Sequence, residues 1–202
     1  LLRERSSGEL VEIYGENLIN CGTKVVETRI RYLHRFVPCF QSFYQELSGE
    51  DVSLQVFYRP LGYRWEEGVE EGLRRAKKRV REEEKERGVT LFGPHRDEIV
   101  FLLRDREARN FASQGEKKRL AISLRLAETS MVESFYRKEV VILVDDVFSE
   151  LDKKRRALLW QKIKNGSQVF LTTTEEEEVK ELRGSSPLSF FRIEGGRIEK
   201  GE

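Results

Sequence analysis

The feature that most constrains this chain is a run of five apolar residues, 140–144, which ends at the two acids Asp145 and Asp146. Such a run is typical of a parallel strand buried on both faces, and in open α/β sheets ligands bind beyond the carboxyl ends of the strands. The two carboxylates would therefore suit Mg²⁺ and an attacking water. A buried strand followed by a solvated Asp-Asp turn explains this run equally well.

The phosphate-cradling loop Gly-x-x-x-x-Gly-Lys-[Ser/Thr], which nucleotide-binding sites of this kind require, does not occur in the 202 residues. The sequence therefore predicts half of a nucleotide site, and we expect the chain alone to be inactive in hydrolysis. The chain begins with Leu1 and not with Met, which fits a truncated chain.

A loop that caps a helix precedes the apolar strand. Ser113 is placed to act as the N-cap, and Glu116, three residues further on, completes a capping box. The free N–H groups and the macrodipole at a helix N-terminus favour a phosphate near Ser113 and Gly115. An ordinary capped helix explains the same pattern, because capping boxes are common.

The order of these pieces is more specific than any one of them. It resembles the signature loop, the Walker B strand and the D-loop of ABC-type ATPase heads. Over nearly its whole length the sequence is also similar to the bacterial RecF family of DNA replication and repair proteins. Three segments carry that similarity: 93–97 (Gly-Pro-His-Arg-Asp), 112–116 (Ala-Ser-Gln-Gly-Glu) and 144–152 (Val-Asp-Asp-Val-Phe-Ser-Glu-Leu-Asp).

The resemblance implies an α/β fold, namely a partial ABC-type P-loop ATPase head (its Walker B half) with an α-helical arm domain. A heptad-spaced apolar seam from Val26 to Leu47 and a second helical pattern place the arm at residues 1–88. Strands and short turns place the C-terminal part of the head at residues 89–202. Pro38 is expected to kink or break the first helix near Val37.

The resemblance also implies ATP and Mg²⁺ as cofactors, with Asp145 holding Mg²⁺ and Asp146 acting as general base. Because Asp146 is one methylene shorter than the usual Glu, we expect slow turnover, and the resemblance implies that DNA stimulates it. The signature and D-loop residues would contact the nucleotide of a second subunit in an ATP-dependent homodimer: Ser113, Gln114, Gly115, Glu116, Ser149 and Asp152. Thr174 stands where ABC ATPases usually carry a switch His, which disfavours a transporter subunit.

Basic residues give two candidate surfaces for DNA, although the net charge is only +1. Segregated positive charge binds phosphates without reading sequence, whereas a charge run is more often a solvated helix face. The candidates lie on a predicted arm helix and beside the signature loop: Arg74, Lys78 and Arg81, and Lys117, Lys118 and Arg119. His95 and Arg96 belong to the family motif, and we expect its Gly-Pro turn to present them outward. The spacing of the motif does not assign a role to either residue.

The resemblance implies an ATP-dependent DNA-binding clamp of recombinational repair and the SOS response. It would bind duplex DNA and single-strand/duplex junctions, engage the mediator proteins RecR and RecO, and work in the bacterial cytoplasm at the nucleoid. No apolar run of membrane-spanning length occurs in the sequence, so no membrane partner is expected. Two alternatives stay open: an SMC-like ATPase head, and a non-catalytic architectural or partner-binding module.

Overall fold

A computed structural model describes residues 8–49, 51–65, 68–137, 140–148, 151–164, 168–175, 177 and 188–200. The chain divides into two compact units, Leu1–Ala121 and Ile122–Glu202. The arm–head boundary predicted near residue 88 falls inside the first unit, and the division into arm and head stays a prediction. Among the described residues, no helix is both long and apolar enough to cross a bilayer.

The first unit begins with helix α1, Gly8–Ser48. Much of the predicted apolar seam is buried, including Val26 and Phe40, but Ile30 is exposed. Phe36, which the heptad spacing did not select, is buried instead. The side of α1 that faces the core is therefore not a strict heptad stripe.

Pro38 lies inside α1 without ending it, so the predicted break near Val37 is wrong. Proline removes one backbone N–H donor and crowds the preceding turn. The rings of Tyr32, Phe36 and Phe40 stack in sequence along the helix, with centroids 5.4 Å and 5.8 Å apart. Phe36 and Phe40 are buried, and the burial of this aromatic row offsets the lost hydrogen bond.

Three strands form an antiparallel sheet in the first unit, in the order β1 (Leu54–Arg59), β2 (Glu98–Leu103) and β3 (Arg106–Glu107). Helix α2, Val69–Arg87, lies between β1 and β2 in the sequence. It ends at Gly88, whose φ of 63° gives the left-handed cap that favours glycine.

Helices α1 and α2 share a core that also includes the segment before β2. Leu73 of α2 packs with Ile19 and Val26 of α1 and with Phe92. The short helix α3, Ala108–Phe111, and the long helix α4, Gln114–Tyr136, follow the sheet. Because the units divide after Ala121, α4 begins in the first unit and continues in the second.

The second unit holds the two parallel strands β4 (Val141–Asp145) and β5 (Gln168–Thr172). Helix α5, Lys153–Ile163, lies between them in the sequence. Strands β6 (Phe191–Glu194) and β7 (Arg197–Lys200) pair as an antiparallel hairpin.

Strand β4 is buried on one face only, which contradicts the prediction of a strand buried on both. Val144 is buried, whereas Val141, Leu143 and Phe170 of β5 are 59%, 75% and 53% exposed. Leu143 and Phe170 are register partners, and strand side chains alternate between faces. These three residues, here called the open face of the second sheet, therefore form one apolar surface.

Candidate functional site

The two acids lie at the carboxyl end of β4, where the sequence places them. Asp145 pairs in register with Thr172 of β5, and the Thr172 hydroxyl donates a hydrogen bond to the Asp145 carboxylate. The backbone N–H of Asp146 donates to both the carbonyl and the hydroxyl oxygen of Thr172, each at 3.2 Å. Thr172 therefore holds both acids at the strand end.

Asp146 has a φ of 51°, in the left-handed region that non-glycine residues rarely occupy. Asp is among the few side chains that tolerate this conformation. Both Asp145 and Asp146 are exposed. The chain therefore turns sharply at the strand end while presenting two carboxylates to solvent, and unusual backbone of this kind is often found at functional sites.

The donor set at this edge fits a magnesium ion that is shared with a nucleotide. Mg²⁺ is commonly bound through one or two carboxylates together with phosphate oxygens and waters. Among the described residues, no group of three or more His, Cys, Asp or Glu could hold a metal ion by itself. Asp145, with its carboxylate oriented by Thr172, is the residue best placed to contribute one ligand.

Thr172 is the site residue that sequence reasoning missed. Strand β5 ends at Thr172, two residues before the predicted switch position Thr174. Thr174 lies beyond the strand and is exposed, and the N–H of Glu175 donates to the Thr173 hydroxyl at 3.1 Å. Only the parallel register of β4 and β5 identifies Thr172, because a strand end that varies by two residues cannot be read from propensity.

The predicted capping box is confirmed at the start of α4. The Ser113 N–H and hydroxyl both donate to the Glu116 carboxylate at 2.8 Å, and the Glu116 N–H donates to the Ser113 hydroxyl at 3.3 Å. Gln114 and Gly115, the first two residues of α4, are exposed. Residues 112–116, here called the signature segment, therefore form an ordered helix start that solvent can reach.

Arg104 strengthens this cap from the turn between β2 and β3. Its guanidinium donates to Glu116 at 2.6 Å. This bond, followed by the donors of Ser113, lowers the pKa of Glu116 from 4.5 to about 2. Arg104 and Asp105 have φ values of 49° and 62°, the left-handed pair of a tight hairpin turn. The sequence showed only a charged turn here, so the role of Arg104 was missed.

The basic cluster after the signature segment is unevenly exposed. Lys118 is exposed, whereas Lys117 and Arg119 are half-buried. A Cβ on Gly115 would lie 3.4 Å from the Arg119 guanidinium, so Arg119 folds back over the helix start. Burial raises the pKa of Tyr44, and Arg119 opposes that effect in smaller part. Arg119 therefore faces the protein as well as solvent.

The predicted basic face of α2 is largely paired with acids. Arg74 contacts Glu16 at 2.6 Å and Glu70 at 2.8 Å, and Arg81 lies 3.9 Å from Glu12. Lys78 is exposed on the same helix. The positive charge predicted from the spacing is therefore reduced by α1, whose position the sequence did not give.

The D-loop candidates are described in part. Asp152 is the N-cap of α5, and its carboxylate accepts a hydrogen bond from the Arg155 N–H at 3.0 Å. This bond, together with further contacts from Arg155, lowers the pKa of Asp152. Ser149 lies outside the described residues.

The Gly-Pro-His-Arg-Asp segment is fixed at both ends. Asp97 accepts bonds from the Tyr58 and Tyr63 hydroxyls, each at 2.5 Å, and from the Leu61 N–H at 3.0 Å. Arg29 of α1 donates to the Pro94 carbonyl at 2.6 Å. We call the three bonds that Asp97 accepts from Tyr58, Tyr63 and Leu61 the Asp97 clamp.

Between the two ends of that segment, the Arg96 N–H closes a turn onto the Gly93 carbonyl at 3.1 Å. His95 and Arg96 are exposed, as expected from the sequence. The Arg96 guanidinium donates to the Thr90 carbonyl at 3.2 Å. The clamp thus presents His95 and Arg96 from a turn of defined geometry.

Comparison with known proteins identifies related sequences and structures, although no protein-family model matches the chain. The chain is 37% identical over 194 residues to the DNA replication and repair protein RecF of Geobacter sp. (strain M21), covering 93% of this chain and 52% of that protein. RecF of Lactobacillus johnsonii is 33% identical over 197 residues, with 95% and 52% covered.

A solved structure of the recombination mediator protein RecF-ATP in the RecFOR pathway superimposes with a TM-score of 0.80 at 26% identity, covering 98% of this chain and 52% of that one. The predicted fold class, a partial ABC-type ATPase head with helices and sheets, is thereby confirmed. The chain spans about half the length of the curated relatives that it matches. By sequence and by fold, the chain belongs to the RecF family as a partial member.

Proposed function

We propose that this chain contributes half of the nucleotide site of an ATP-controlled, DNA-binding protein of recombinational repair. The observation that carries the proposal is the pair of exposed acids at the end of β4, both held by Thr172. Ligands of open α/β sheets bind at this edge. Relatives described as DNA replication and repair proteins support the same assignment.

Asp145 and Asp146 divide the chemistry between them in this proposal. Asp145 would hold Mg²⁺, since the Thr172 hydroxyl fixes the direction of its carboxylate. Bound Mg²⁺ would offset the charge that develops on the phosphates. Asp146 would orient the attacking water and accept its proton. A carboxylate one methylene shorter than Glu makes that reach poorer, so slow hydrolysis is proposed. Stimulation of that hydrolysis by DNA is part of the same proposal.

The signature segment would bind the nucleotide of a second subunit. Gly115 and Gln114 expose backbone N–H groups at the start of α4, where free donors favour a phosphate. The Ser113 hydroxyl, which donates to Glu116 here, would turn to the γ-phosphate. Glu116 would keep its charge balanced by Arg104. Asp152, Ser149 and the switch position Thr174 are proposed to lie along the same ATP-dependent homodimer seam.

The proposed partners are DNA and the mediator proteins RecR and RecO. A related structure is of a recombination mediator in the RecFOR pathway, which supports this part of the proposal. The proposed setting is the bacterial cytoplasm at the nucleoid, with a role in gap repair and the SOS response. The role would be sequence-independent binding of duplexes and junctions, controlled by ATP.

The cluster beside the signature segment is our preferred candidate surface for DNA. Lys118 is exposed, Lys117 is half-buried next to it, and both follow the proposed nucleotide contact directly. Charge at that position would connect DNA affinity to ATP-driven closure of two heads. The rival residues Arg74, Lys78 and Arg81 are less suitable, because Arg74 and Arg81 have acidic neighbours.

Fluorescence anisotropy with a DNA duplex tests this proposal in the full-length protein. With a non-hydrolysable ATP analogue, Lys117→Glu combined with Lys118→Glu should weaken binding and lower the log–log salt slope by roughly 0.9 per lost phosphate contact. Arg125→Glu, which reverses the charge at an exposed position farther along α4, is the control. If the parent protein binds no duplex in any nucleotide state, the DNA function is wrong.

A further inference from the structure

A cavity of about 540 Å³ opens in the first unit between α2 and the turn that follows β1. Three arginines line it: Arg64 from the turn, and Arg75 and Arg79, which lie one helical turn apart on α2. Tyr63 and Gly72 also contribute to its wall. We call this cavity the arginine pocket.

Among the residues that the structure describes, the arginine pocket has more positive than negative charge. Within that part of the chain, neither Arg64 nor Arg79 has a carboxylate at ion-pair distance, while Arg75 contacts the exposed Glu71 at 3.2 Å. The Arg79 guanidinium donates to the neutral Gly62 carbonyl, which orients it without cancelling its charge. The opposite side of α2 differs, since Lys77 is paired there with Glu12 and Glu16.

Two structural features build the wall of the pocket. A Cβ on Gly72 would clash with the Arg64 carbonyl oxygen, so only glycine lets the turn approach α2 this closely. The Asp97 clamp holds the other side of the turn through Tyr63 and the Leu61 N–H. Burial, and then the bond to Asp97, raise the pKa of Tyr63, so its hydroxyl stays a donor. The clamp thus holds the turn that brings Arg64 to the same pocket as Arg79.

The chemistry of the lining points to an anion that presents two neighbouring oxygens, such as a phosphate or a carboxylate. Guanidinium groups donate two parallel hydrogen bonds to phosphates and carboxylates. Tyr63 and Ala76 are only 6% and 2% exposed, so neither offers a large apolar surface to a protein side chain. Protein partners depend mainly on buried apolar and aromatic anchors. A ligand held by charge, such as a DNA phosphate, fits this surface better.

We propose that the arginine pocket binds a phosphodiester of the DNA backbone, a contact separate from the cluster at Lys117 and Lys118. This inference rests on the proposed DNA function and adds a second contact point on α2. It also gives the Gly-Pro-His-Arg-Asp segment a positioning role, because Asp97 supports the wall of the pocket. Binding there is independent of base sequence, since phosphate contacts carry no sequence information.

Duplex anisotropy over a series of salt concentrations tests the pocket in the full-length protein. Arg64→Glu combined with Arg79→Glu should weaken binding at least about tenfold and lower the log–log salt slope by roughly 0.9, because one phosphate contact is lost. Lys85→Glu with Arg87→Glu makes the same charge change on α2 outside the pocket, and should remain near the parent. Arg64→Lys with Arg79→Lys should give an intermediate loss, because lysine keeps the charge without the fork.

The outcomes separate the pocket from the function on which it rests. Suppose that the parent binds duplex DNA, and that the pocket and control variants weaken binding equally with unchanged thermal melting. The pocket proposal is then wrong, and the DNA function stands. A parent that binds no duplex overturns both. If the pocket variant loses affinity for poly-glutamate but keeps its affinity for DNA, the pocket takes an acidic protein segment and the phosphate assignment is wrong.

Discussion

The two larger sheets of this chain differ in how their faces are covered. Helix α1 packs on the antiparallel sheet: the Gln41 amide donates to the Leu54 carbonyl at 2.6 Å, and the Phe40 ring meets Phe101 edge to face at 5.7 Å. The parallel sheet of the second unit buries Val144 but leaves Leu143 and Phe170 exposed. Among the residues that the structure describes, the first sheet completes a core, whereas the second leaves one apolar face open.

This difference concerns function as well as packing. Parallel sheets are normally covered on both faces, so we expect residues outside this chain to bury the open face in the intact protein. The same sheet carries Asp145 and Asp146, whose proposed phosphate-binding partner loop is also outside the 202 residues. The second unit is therefore expected to be incomplete both as a core and as a site.

The largest expected effect is in the completed core. Phe40 is fully buried, so Phe40→Ala should lower the free energy of unfolding by about 3–5 kcal/mol. Urea denaturation should show this loss both in the 202-residue chain and in the full-length protein. A loss below about 1 kcal/mol in either would mean that the first unit is not the self-contained core described above.

The open face gives a second, length-dependent effect. Leu143→Ala should cost the full-length protein about 2–5 kcal/mol, the usual range for a buried leucine. In the 202-residue chain, where Leu143 is 75% exposed, the loss should stay under about 1 kcal/mol. Val144→Ala is the matched control, since it faces the covered side and should destabilise both lengths. Equal small losses for Leu143→Ala in both would show that nothing covers the open face.

A smaller effect tests the helix cap of the first unit through pH. The pKa of Glu116 is lowered from 4.5 to about 2, so its charged form stabilises the fold. That contribution is complete above about pH 4.5 and is lost as the pH falls toward 2. The stability difference between the parent and Glu116→Gln should therefore shrink over this range.

Nuclear magnetic resonance titration provides the direct check on Glu116. Arg104→Ala removes the main cause of the shift and should raise the pKa of Glu116 toward its ordinary value. An unchanged pKa in Arg104→Ala would contradict the ion pair. Arg125→Ala, in an exposed pair farther along α4, should leave the Glu116 titration unaltered.

Local signals in the sequence predicted local structure well. The capping box of Ser113 and Glu116 formed, because it depends on neighbours only three residues apart. The carboxyl end of the apolar strand also located the two acids. Family resemblance, and not periodicity, supplied the expectation of an ABC-type head.

Features that depend on contacts between residues far apart in the sequence could not be predicted. Thr172 could be identified only from the β4–β5 register, and the Asp97 clamp joins residues that are far apart in the sequence. The expected helix break at Pro38 did not occur, because the aromatic row beside it outweighs a local helix-breaking preference. The predicted burial of both faces of β4 assumed a complete sheet, whereas the described residues pair β4 with β5 alone.

The central claim is that this chain holds half of a nucleotide site that a second subunit completes. Analytical ultracentrifugation of the full-length protein with ATP and Mg²⁺ tests it most directly. Asp146→Asn should accumulate as an ATP-bound dimer, and Ser113→Arg should stay monomeric while binding ATP with the parent's affinity. Equal loss of ATP binding in both variants, or a Ser113→Arg protein that dimerises like the parent, would contradict the account.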